Sequence, residues 1–301
     1  MTTKRPVPPM TRVGILAKSN LRAAIPHLVD IEAWLADREI EAVFETETAG
    51  LMPPAPRRAM ANKSVLASTV GVVVVLGGDG TLLGMADCIG EAGSGVPILG
   101  VNFGSLGFLT EVTLPELYPS LEAVLEGRAH SEERMLLQST TMRGGQVFAQ
   151  QIALNDTVIT KAARSRMIDL SVSVGDEFVT RVKADGLIIA TPTGSTAYNL
   201  AAGGPIVHPA VDAMLLTPIA PHTLTNRPVV IPAASDVHVR PIMDDHDEVF
   251  VTFDGQRGFA LQPHDLVSIR RAPRPLRMVK SSKRSYFDLL REKLKWGGDN
   301  R

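Results

Sequence analysis

The chain has 301 residues, 45% of them hydrophobic, and 31 Lys and Arg residues against 32 Asp and Glu residues give a formal net charge of -1. This composition is typical of a globular protein long enough for two domains, and its balanced charge gives no reason to expect nucleic-acid or membrane binding. Cys88 is the single cysteine, so no internal disulfide can form, which favours a reducing compartment. No apolar run reaches the roughly 20 residues of a membrane span, and the start lacks the apolar core of a signal peptide. We therefore expect a cytoplasmic protein.

The first part of the chain alternates between strand and helix patterns. The short apolar run RVGILA predicts a strand, and the spacing of Leu28, Ile31 and Leu35 predicts a helix after it. The runs VGVVVVL and VPILGVN are typical of strands buried on both faces. A further helix is predicted with Thr113 as its cap. We therefore predict an α/β domain with a parallel sheet over residues 1–130.

The rest of the chain follows a strand pattern. Apolar and polar residues alternate with period two on both sides of the turn at Gly175, and Asp254-Gly255 is a strong hairpin signal. We predict a β-rich, sandwich-like domain over residues 131–273. The closing segment, residues 274–301, contains a predicted helix that begins with the capping pattern Ser285-x-x-Asp288.

A glycine-rich loop follows the first valine-rich strand. Gly77, Gly78, Gly80 and Thr81 are residue types that let phosphate approach the backbone at the start of a helix. The loop is neither a Walker loop nor a dinucleotide fingerprint, because the required Lys and glycine spacing are missing. A carboxylate, Asp79, stands among the glycines, although phosphate is itself an anion.

Three interpretations of Asp79 are consistent with the sequence. The side chain caps a helix, or it holds a divalent cation that bridges phosphates, or it accepts a proton from a hydroxyl that attacks phosphorus. The second and third interpretations explain the carboxylate and indicate phosphoryl transfer.

Two further segments are typical of nucleotide sites. The stretch ADGLIIATPTGSTAYNLAAGGP, residues 184–205, combines small hydroxyl side chains with Tyr198, whose ring could stack on a base. A tight turn with a capped helix explains it equally well on its own. The adjacent Asn155 and Asp156 suit a ribose diol, although such a pair is also common in ordinary turns.

Together, the GGDGT loop, the Asn155-Asp156 pair and the DGLIIATPTGSTAYNLAAGGP stretch resemble the NAD kinase family. The loop alone is shared with lipid kinases and phosphofructokinases, whereas the TPTGSTAY stretch is much more specific. The resemblance implies transfer of a phosphate from ATP, or in some members polyphosphate, to the 2'-hydroxyl of the adenosine ribose of NAD. It also implies a divalent cation, Mg²⁺ or Mn²⁺, a homodimer or homotetramer, and a C-terminal segment that packs back on the N-terminal domain.

The resemblance also assigns roles to residues. Asp79 becomes the general base, with metal binding through the phosphates as an additional role, and Gly77, Gly78, Gly80 and Thr81 form the phosphate loop. The positions that the resemblance assigns to NAD binding are Asp79, Gly80, Asn155, Asp156, Arg166, Lys183, Asp185, Thr196, Ala197, Tyr198, Asn199, Leu200, Ala201 and Gln256. Family members commonly carry Asn-Glu where this chain has Asn155-Asp156, so a shorter carboxylate would reach the ribose here through water.

Two other functions remain as alternatives at this stage. A lipid kinase would share the glycine loop but should lack the TPTGSTAY stretch, which is present. A non-catalytic sensor of NAD or NADP would not need a base at Asp79.

Overall fold

The structure is a computed structural model, and it describes residues 10–104, 106–162, 167–223, 225–244, 248–281 and 284–296. The chain forms two compact units. The first comprises the residues up to Glu133 together with those from Leu276 onward, and the second comprises Arg134–Pro275. Within the described part of the chain, every helix is too short or too polar to cross a lipid bilayer.

The helices and strands are numbered in chain order. The strands are β1 Arg12–Ala17, β2 Glu41–Glu45, β3 Ala59–Ala61, β4 Val72–Gly77, β5 Ile98–Asn102, β6 Ser131–Arg134, β7 Leu137–Arg143, β8 Gln146–Ala153, β9 Asp156–Lys161, β10 Ile168–Val174, β11 Glu177–Ala184, β12 Gly186–Ala190, β13 Ala213–Ile219, β14 Val229–Pro232, β15 Val237–Ile242, β16 Val249–Phe253, β17 Arg257–Ala260, β18 Leu266–Arg271 and β19 Leu276–Val279. The helices are α1 Ile25–Ala36, α2 Thr46–Ala49, α3 Lys63–Thr69, α4 Asp79–Ala92, α5 Leu117–Leu125, α6 Tyr198–Ala201 and α7 Tyr286–Leu294. Short 3₁₀ turns cover Arg22–Ala24, Leu114–Glu116 and Thr193–Thr196.

The first unit is built on one sheet with the strand order β3-β2-β1-β4-β5-β19-β6. Strands β1 to β5 and β19 pair in parallel, as the alternation of strands and helices predicts. Every residue of β4 is buried, which explains its unbroken run of valines. The predicted α/β class of this part is therefore confirmed.

The second unit contains two antiparallel six-stranded sheets. Their strand orders are β11-β10-β15-β18-β7-β8 and β14-β13-β12-β9-β16-β17. Side chains from both sheets, such as Leu170, Val239, Ile159 and Val251, share one buried core, which makes this unit a sandwich. The hairpins predicted at Gly175 and Asp254 join β10 to β11 and β16 to β17.

The C-terminal segment contributes to the first unit. Strand β19 pairs with β5 beside it, and helix α7 follows with the predicted capping box at Ser285 and Asp288. Thr113, predicted as a helix cap, caps the 3₁₀ turn Leu114–Glu116 that precedes α5, and its hydroxyl and backbone N–H both donate to Glu116.

Candidate functional site

The glycine loop connects a buried strand to the longest helix of the first unit. Strand β4 ends at Gly77, Gly78 is the N-cap of α4, and Asp79 is the first residue of that helix. A Cβ atom at Gly77 would lie 2.8 Å from the Thr81 hydroxyl, whereas one at Gly78 or Gly80 would meet nothing within 4 Å. Space beside the last two glycines is therefore open, as close approach of a ligand to the backbone requires.

The Asp79 carboxylate is held by a loop that follows β5. Its Oδ1 accepts hydrogen bonds from the backbone N–H groups of Leu109 (3.1 Å) and Thr110 (3.0 Å) and from the Thr110 hydroxyl (3.0 Å). Its Oδ2 accepts from the backbone N–H of Phe108 at 2.8 Å. Each carboxylate oxygen offers about two lone pairs. Counting donors from the described residues, Oδ2 therefore keeps one acceptor position free, while Oδ1 has none.

This geometry removes the simplest interpretation of Asp79. The N-cap of α4 is Gly78, and the Asp79 side chain binds the neighbouring loop instead of the end of its own helix. Gly107 makes this approach sterically feasible, because a Cβ atom there would lie 1.9 Å from Asp79 Oδ1. The carboxylate is thus fixed in position by contacts that a helix cap does not need.

In the second unit, Asn155 and Asp156 are held by a turn about a hundred residues later. The Asp254 carboxylate accepts the backbone N–H groups of Leu154 (2.8 Å), Asn155 (2.7 Å) and Asp156 (3.0 Å). Asp254 and Gly255 both have positive φ, 51° and 62°, as a tight hairpin turn between β16 and β17 demands. The hairpin signal in the sequence therefore also supplies the anchor of the Asn155-Asp156 pair.

The Asp156 side chain is buried beside a second carboxylate. Burial, and secondly the charge of Asp254, raise the pKa of the Asp156 carboxyl to about 7. Burial also raises the pKa of Asp254, although its three backbone hydrogen bonds oppose that rise. Within the described residues, no donor hydrogen-bonds the Asp156 carboxylate.

The structure brings the hydroxyl-rich stretch against the Asn155-Asp156 pair. The Thr191 N–H donates to the Asn155 carbonyl at 2.9 Å, and the Thr191 hydroxyl donates to the Leu154 carbonyl at 2.6 Å. A Cβ atom at Gly194 would lie 2.1 Å from the Asn155 carbonyl oxygen, so only glycine fits there. Two segments that the sequence analysis treated separately thus form one cluster.

Comparison with known proteins identifies the family. Residues 13–129 match the family model of the ATP-NAD kinase N-terminal domain, and residues 154–281 match that of the ATP-NAD kinase C-terminal domain. An NAD kinase of Geobacter sp. (strain M21) is 44% identical over 288 residues, which cover 96% of this chain and 99% of the relative. An NAD kinase of Geobacter sulfurreducens is 46% identical over the same shares of the two chains.

The chain belongs to the NAD kinase family.

Solved structures of NAD kinase type share the fold. Yeast NADH kinase complexed with NADH superposes with a TM-score of 0.85 at 26% identity, covering 97% of this chain and 90% of the yeast chain. The NAD kinase of Archaeoglobus fulgidus in complex with ATP gives a TM-score of 0.73 at 25% identity, covering 94% and 98%. The resemblance seen in the sequence is thereby confirmed, and the lipid kinase alternative is excluded.

The remaining residues with NAD kinase assignments differ in accessibility. Thr196, Ala197 and Leu200 are half-buried, whereas Ala201 is exposed. The Tyr198 ring is 46% exposed and is therefore accessible to a ligand.

Asn199 has a different environment from its neighbours in this stretch. It is fully buried, its amide donates to the carbonyls of Ser195 (3.1 Å) and Pro205 (3.0 Å), and its oxygen accepts from the Thr217 hydroxyl at 2.6 Å. Its polar atoms are thus used inside the protein, where they hold the turn at Gly204. These contacts give Asn199 a structural role, and its assigned NAD contact stays a prediction.

Four further positions have an NAD contact assigned by the resemblance, and three of them are among the described residues. Lys183 is exposed near the end of β11, and Asp185 follows in an ion pair with Lys161 at 3.2 Å. Gln256 is exposed in the β16–β17 turn. Arg166 lies outside the described residues.

The sequence analysis missed the residues that hold the site carboxylates. Thr110, Gly107 and Asp254 each contact an assigned residue, yet none was singled out for that role. The sequence shows only that two glycines follow the end of β5, a strand that lies next to β4, and these glycines do not identify Asp79 as the partner.

A divalent cation would depend mainly on the nucleotide. In the described parts of the chain, no group of three or more His, Cys, Asp or Glu side chains converges on one point. Asp79 is the carboxylate of the glycine loop, and its Oδ2 has one free acceptor position. This donor set fits Mg²⁺ bound chiefly to phosphate oxygens and water, with one carboxylate at most.

Proposed function

We propose that this chain transfers the terminal phosphate of ATP to the 2'-hydroxyl of the adenosine ribose of NAD, forming NADP and ADP. The observation that supports this most directly is the Asp79 carboxylate, which is fixed at the start of α4 with one acceptor position free on Oδ2. Family membership and the ATP and NADH complexes of the two structural relatives support the substrates.

In the proposed mechanism, Asp79 Oδ2 accepts the proton of the 2'-hydroxyl while that oxygen attacks the terminal phosphorus. The bond from phosphorus to the bridging oxygen breaks, and ADP leaves with the electron pair. Positive charge near the phosphates comes from the N–H groups of Gly78 and Gly80 and from the N-terminus of α4. A divalent cation, Mg²⁺ or Mn²⁺, neutralises phosphate charge when it is bound with ATP.

The NAD-binding residues of the second unit are part of the same proposal. Asp156 and Asn155 are proposed to bind a ribose diol, and Tyr198 is proposed to stack on adenine. We propose further contacts from Lys183, Asp185, Arg166, Thr196, Ala197, Leu200, Ala201 and Gln256. The exposed Tyr198 side chain supports this assignment, as does the Asp156 carboxylate, to which no described residue donates a hydrogen bond.

We also propose a cellular compartment and an oligomeric state for the enzyme. The single cysteine favours the cytoplasm. Exposed apolar side chains on the edge strands β8, β11 and β14, such as Phe148, Phe178 and Val230, support a homodimer or homotetramer. Light scattering coupled to size-exclusion chromatography would measure the number of subunits.

One assay distinguishes the proposed function from the sensor alternative. The protein is incubated with NAD, ATP and Mg²⁺, and NADP is then detected with an NADP-specific dehydrogenase. Sustained NADP formation that stops in Asp79→Asn supports the proposal. Binding of NAD without NADP formation, under conditions where a related NAD kinase turns over, would identify a sensor.

A further inference from the structure

The segment of residues 107–112, here called the Asp79 loop, carries every described donor to the Asp79 carboxylate. Thr110 is its central contact, because its hydroxyl donates to Asp79 Oδ1 at 3.0 Å and accepts from the Asn102 amide at 3.2 Å. At the end of the loop, Val112 exchanges backbone hydrogen bonds with β5, donating to Gly100 at 3.2 Å and accepting from Asn102 at 2.8 Å. The position of the carboxylate therefore depends on how this loop is anchored.

A buried ion pair anchors the residue that follows Thr110. Glu111 is only 3% exposed, and its carboxylate pairs with the ammonium of Lys280, which is 9% exposed. Lys280 comes directly after β19, and its backbone N–H donates to the His130 carbonyl at 3.0 Å. Glu132 Oε2 lies 3.7 Å from the same ammonium.

The C-terminal segment contacts the loop at two more points. The Arg284 guanidinium donates to the Glu111 carbonyl at 3.3 Å. On α7, the Lys293 ammonium lies 5.8 Å from the centre of the Phe108 ring, and Phe108 is the residue whose N–H binds Asp79 Oδ2. The C-terminal segment therefore touches both the start and the end of the Asp79 loop.

We infer that Lys280, through its buried ion pair with Glu111, is a positioning residue that sets the orientation of the Asp79 carboxylate. This inference rests on the proposed function of Asp79 as the general base. A buried ion pair adds little net stability compared with an apolar pair of the same volume, so stability alone is a weak reason for this one. Its place directly beside Thr110 favours a geometric role, because small misplacements of a catalytic group lower the rate strongly.

The test compares steady-state kinetics of Lys280→Met and Glu111→Gln with those of the wild-type protein. Lys280→Met removes the ammonium from beside the buried Glu111 carboxylate and endangers folding. Glu111→Gln keeps the size of the side chain, and it provides the test if the first variant does not fold. We expect kcat to fall roughly 10–100-fold, as for a misplaced catalytic group, with the KM for NAD unchanged. We also expect the N–H groups of Phe108, Leu109 and Thr110 to exchange faster with solvent deuterium.

Arg58→Met is the matched control. Arg58 is a half-buried arginine of the same unit whose guanidinium makes two hydrogen bonds to the Glu32 carboxylate, both at 2.8 Å, and it makes no described contact with Asp79. This variant should lose thermal stability but keep the wild-type kcat. If it loses kcat as strongly as Glu111→Gln, general destabilisation explains both and the inference is overturned.

A double variant distinguishes this inference from the function on which it rests. If Lys280 acts through Asp79, adding Glu111→Gln to Asp79→Asn should lower kcat no further, because groups acting as a unit are not additive. A multiplied loss in the double variant would show that the ion pair acts separately, which overturns the inference alone. An Asp79→Asn single variant with wild-type kcat would instead overturn the general-base role of Asp79 on which the inference rests.

Discussion

Asp156 and Asp254 are joined by two hydrogen bonds, in which each residue donates its backbone N–H to the other. The N–H of Asp156 donates to the Asp254 carboxylate at 3.0 Å, and the N–H of Asp254 donates to the Asp156 carbonyl at 3.0 Å. The hairpin turn thus holds the start of β9 while bringing two carboxyl groups close together. The shifted pKa of Asp156 follows from this arrangement and from burial.

The raised pKa of Asp156 predicts a pH-dependent stability. Between its ordinary value of 3.8 and about 7, the folded protein keeps a proton that the unfolded chain releases. The free energy of unfolding should therefore fall as pH rises through this window and remain lower above it. At 1.36 kcal/mol per pKa unit, the loss is at most about 4 kcal/mol.

The free energy of unfolding is measured by urea denaturation for wild type and Asp156→Asn at about pH 5 and about pH 8. Most of the expected fall in stability lies between these two pH values. The stability of wild type relative to the variant should drop between the two values. An equal difference at both would contradict the raised pKa.

Replacing Asp79 with Asn should abolish most catalysis. Asn has no useful basicity, so kcat should fall by roughly 10²–10⁴-fold, the range for losing a general base, while NAD still binds. The structure adds a cost in stability of roughly 1–3 kcal/mol, because the Asn amide turns an N–H towards one of the four donors that now bind the carboxylate. Asp30→Asn, on the exposed face of α1, is the control and should leave kcat unchanged. Retention of more than about a tenth of kcat in Asp79→Asn would rule out the base.

Gly107→Ala should impair the reaction while leaving every catalytic group in the chain. The added Cβ would lie 1.9 Å from Asp79 Oδ1, so either the carboxylate or the loop must move. We expect kcat to fall roughly 100-fold, as for a displacement of about 1 Å, with little change in the KM for NAD. Gly144→Ala, in the turn between β7 and β8, is the control. Its positive φ of 57° means that the variant should lose some stability, but its kcat should stay at the wild-type value. Wild-type turnover in Gly107→Ala would show that the Asp79 contacts are dispensable.

Tyr198→Ala should weaken NAD binding. A ring that stacks on a base contributes roughly 1–3 kcal/mol in single-stranded nucleic acids, and we expect the same range here. Tyr198→Phe should bind normally, because none of the described residues hydrogen-bonds the Tyr198 hydroxyl. Isothermal titration calorimetry with NAD measures both variants, and equal affinity for Ala and wild type would place the adenine elsewhere.

Activity should require a divalent cation that enters with the nucleotide. Excess EDTA should stop turnover, and Mg²⁺ should restore it. Because the described residues form no cluster of metal ligands, Mg²⁺ alone should leave the melting temperature unchanged, whereas Mg²⁺ with ATP should raise it. Full turnover in EDTA would disprove the requirement.

The sequence predicts the local features of this protein well and the long-range ones poorly. The Asp254-Gly255 hairpin, the capping box at Ser285 and the buried strand before Gly77 are each encoded within a few neighbouring residues. The hydrogen bond between Asn155 and Asp254 joins residues 99 positions apart, and the one between Thr110 and Asp79 joins residues 31 positions apart. No local sequence pattern identifies these partners. The hydrogen bond from the Thr217 hydroxyl to Asn199 is hidden for the same reason, since Asn199 lies on α6 and Thr217 on β13.

Among the described residues, the second unit has three tight hairpin turns, at Gly144-Gly145, Gly175-Asp176 and Asp254-Gly255, which look equally suitable for inserting a tag or a reporter. They differ, because among the described contacts only the third turn has a side chain that hydrogen-bonds the start of another strand. A peptide inserted into the first or second turn only lengthens the loop between two strands. A peptide inserted into the third turn would break the hydrogen bonds from Asn155 and Asp156 to the Asp254 carboxylate. A fluorescent or affinity label is therefore better inserted at Gly144-Gly145 or at Gly175-Asp176 than at Asp254-Gly255.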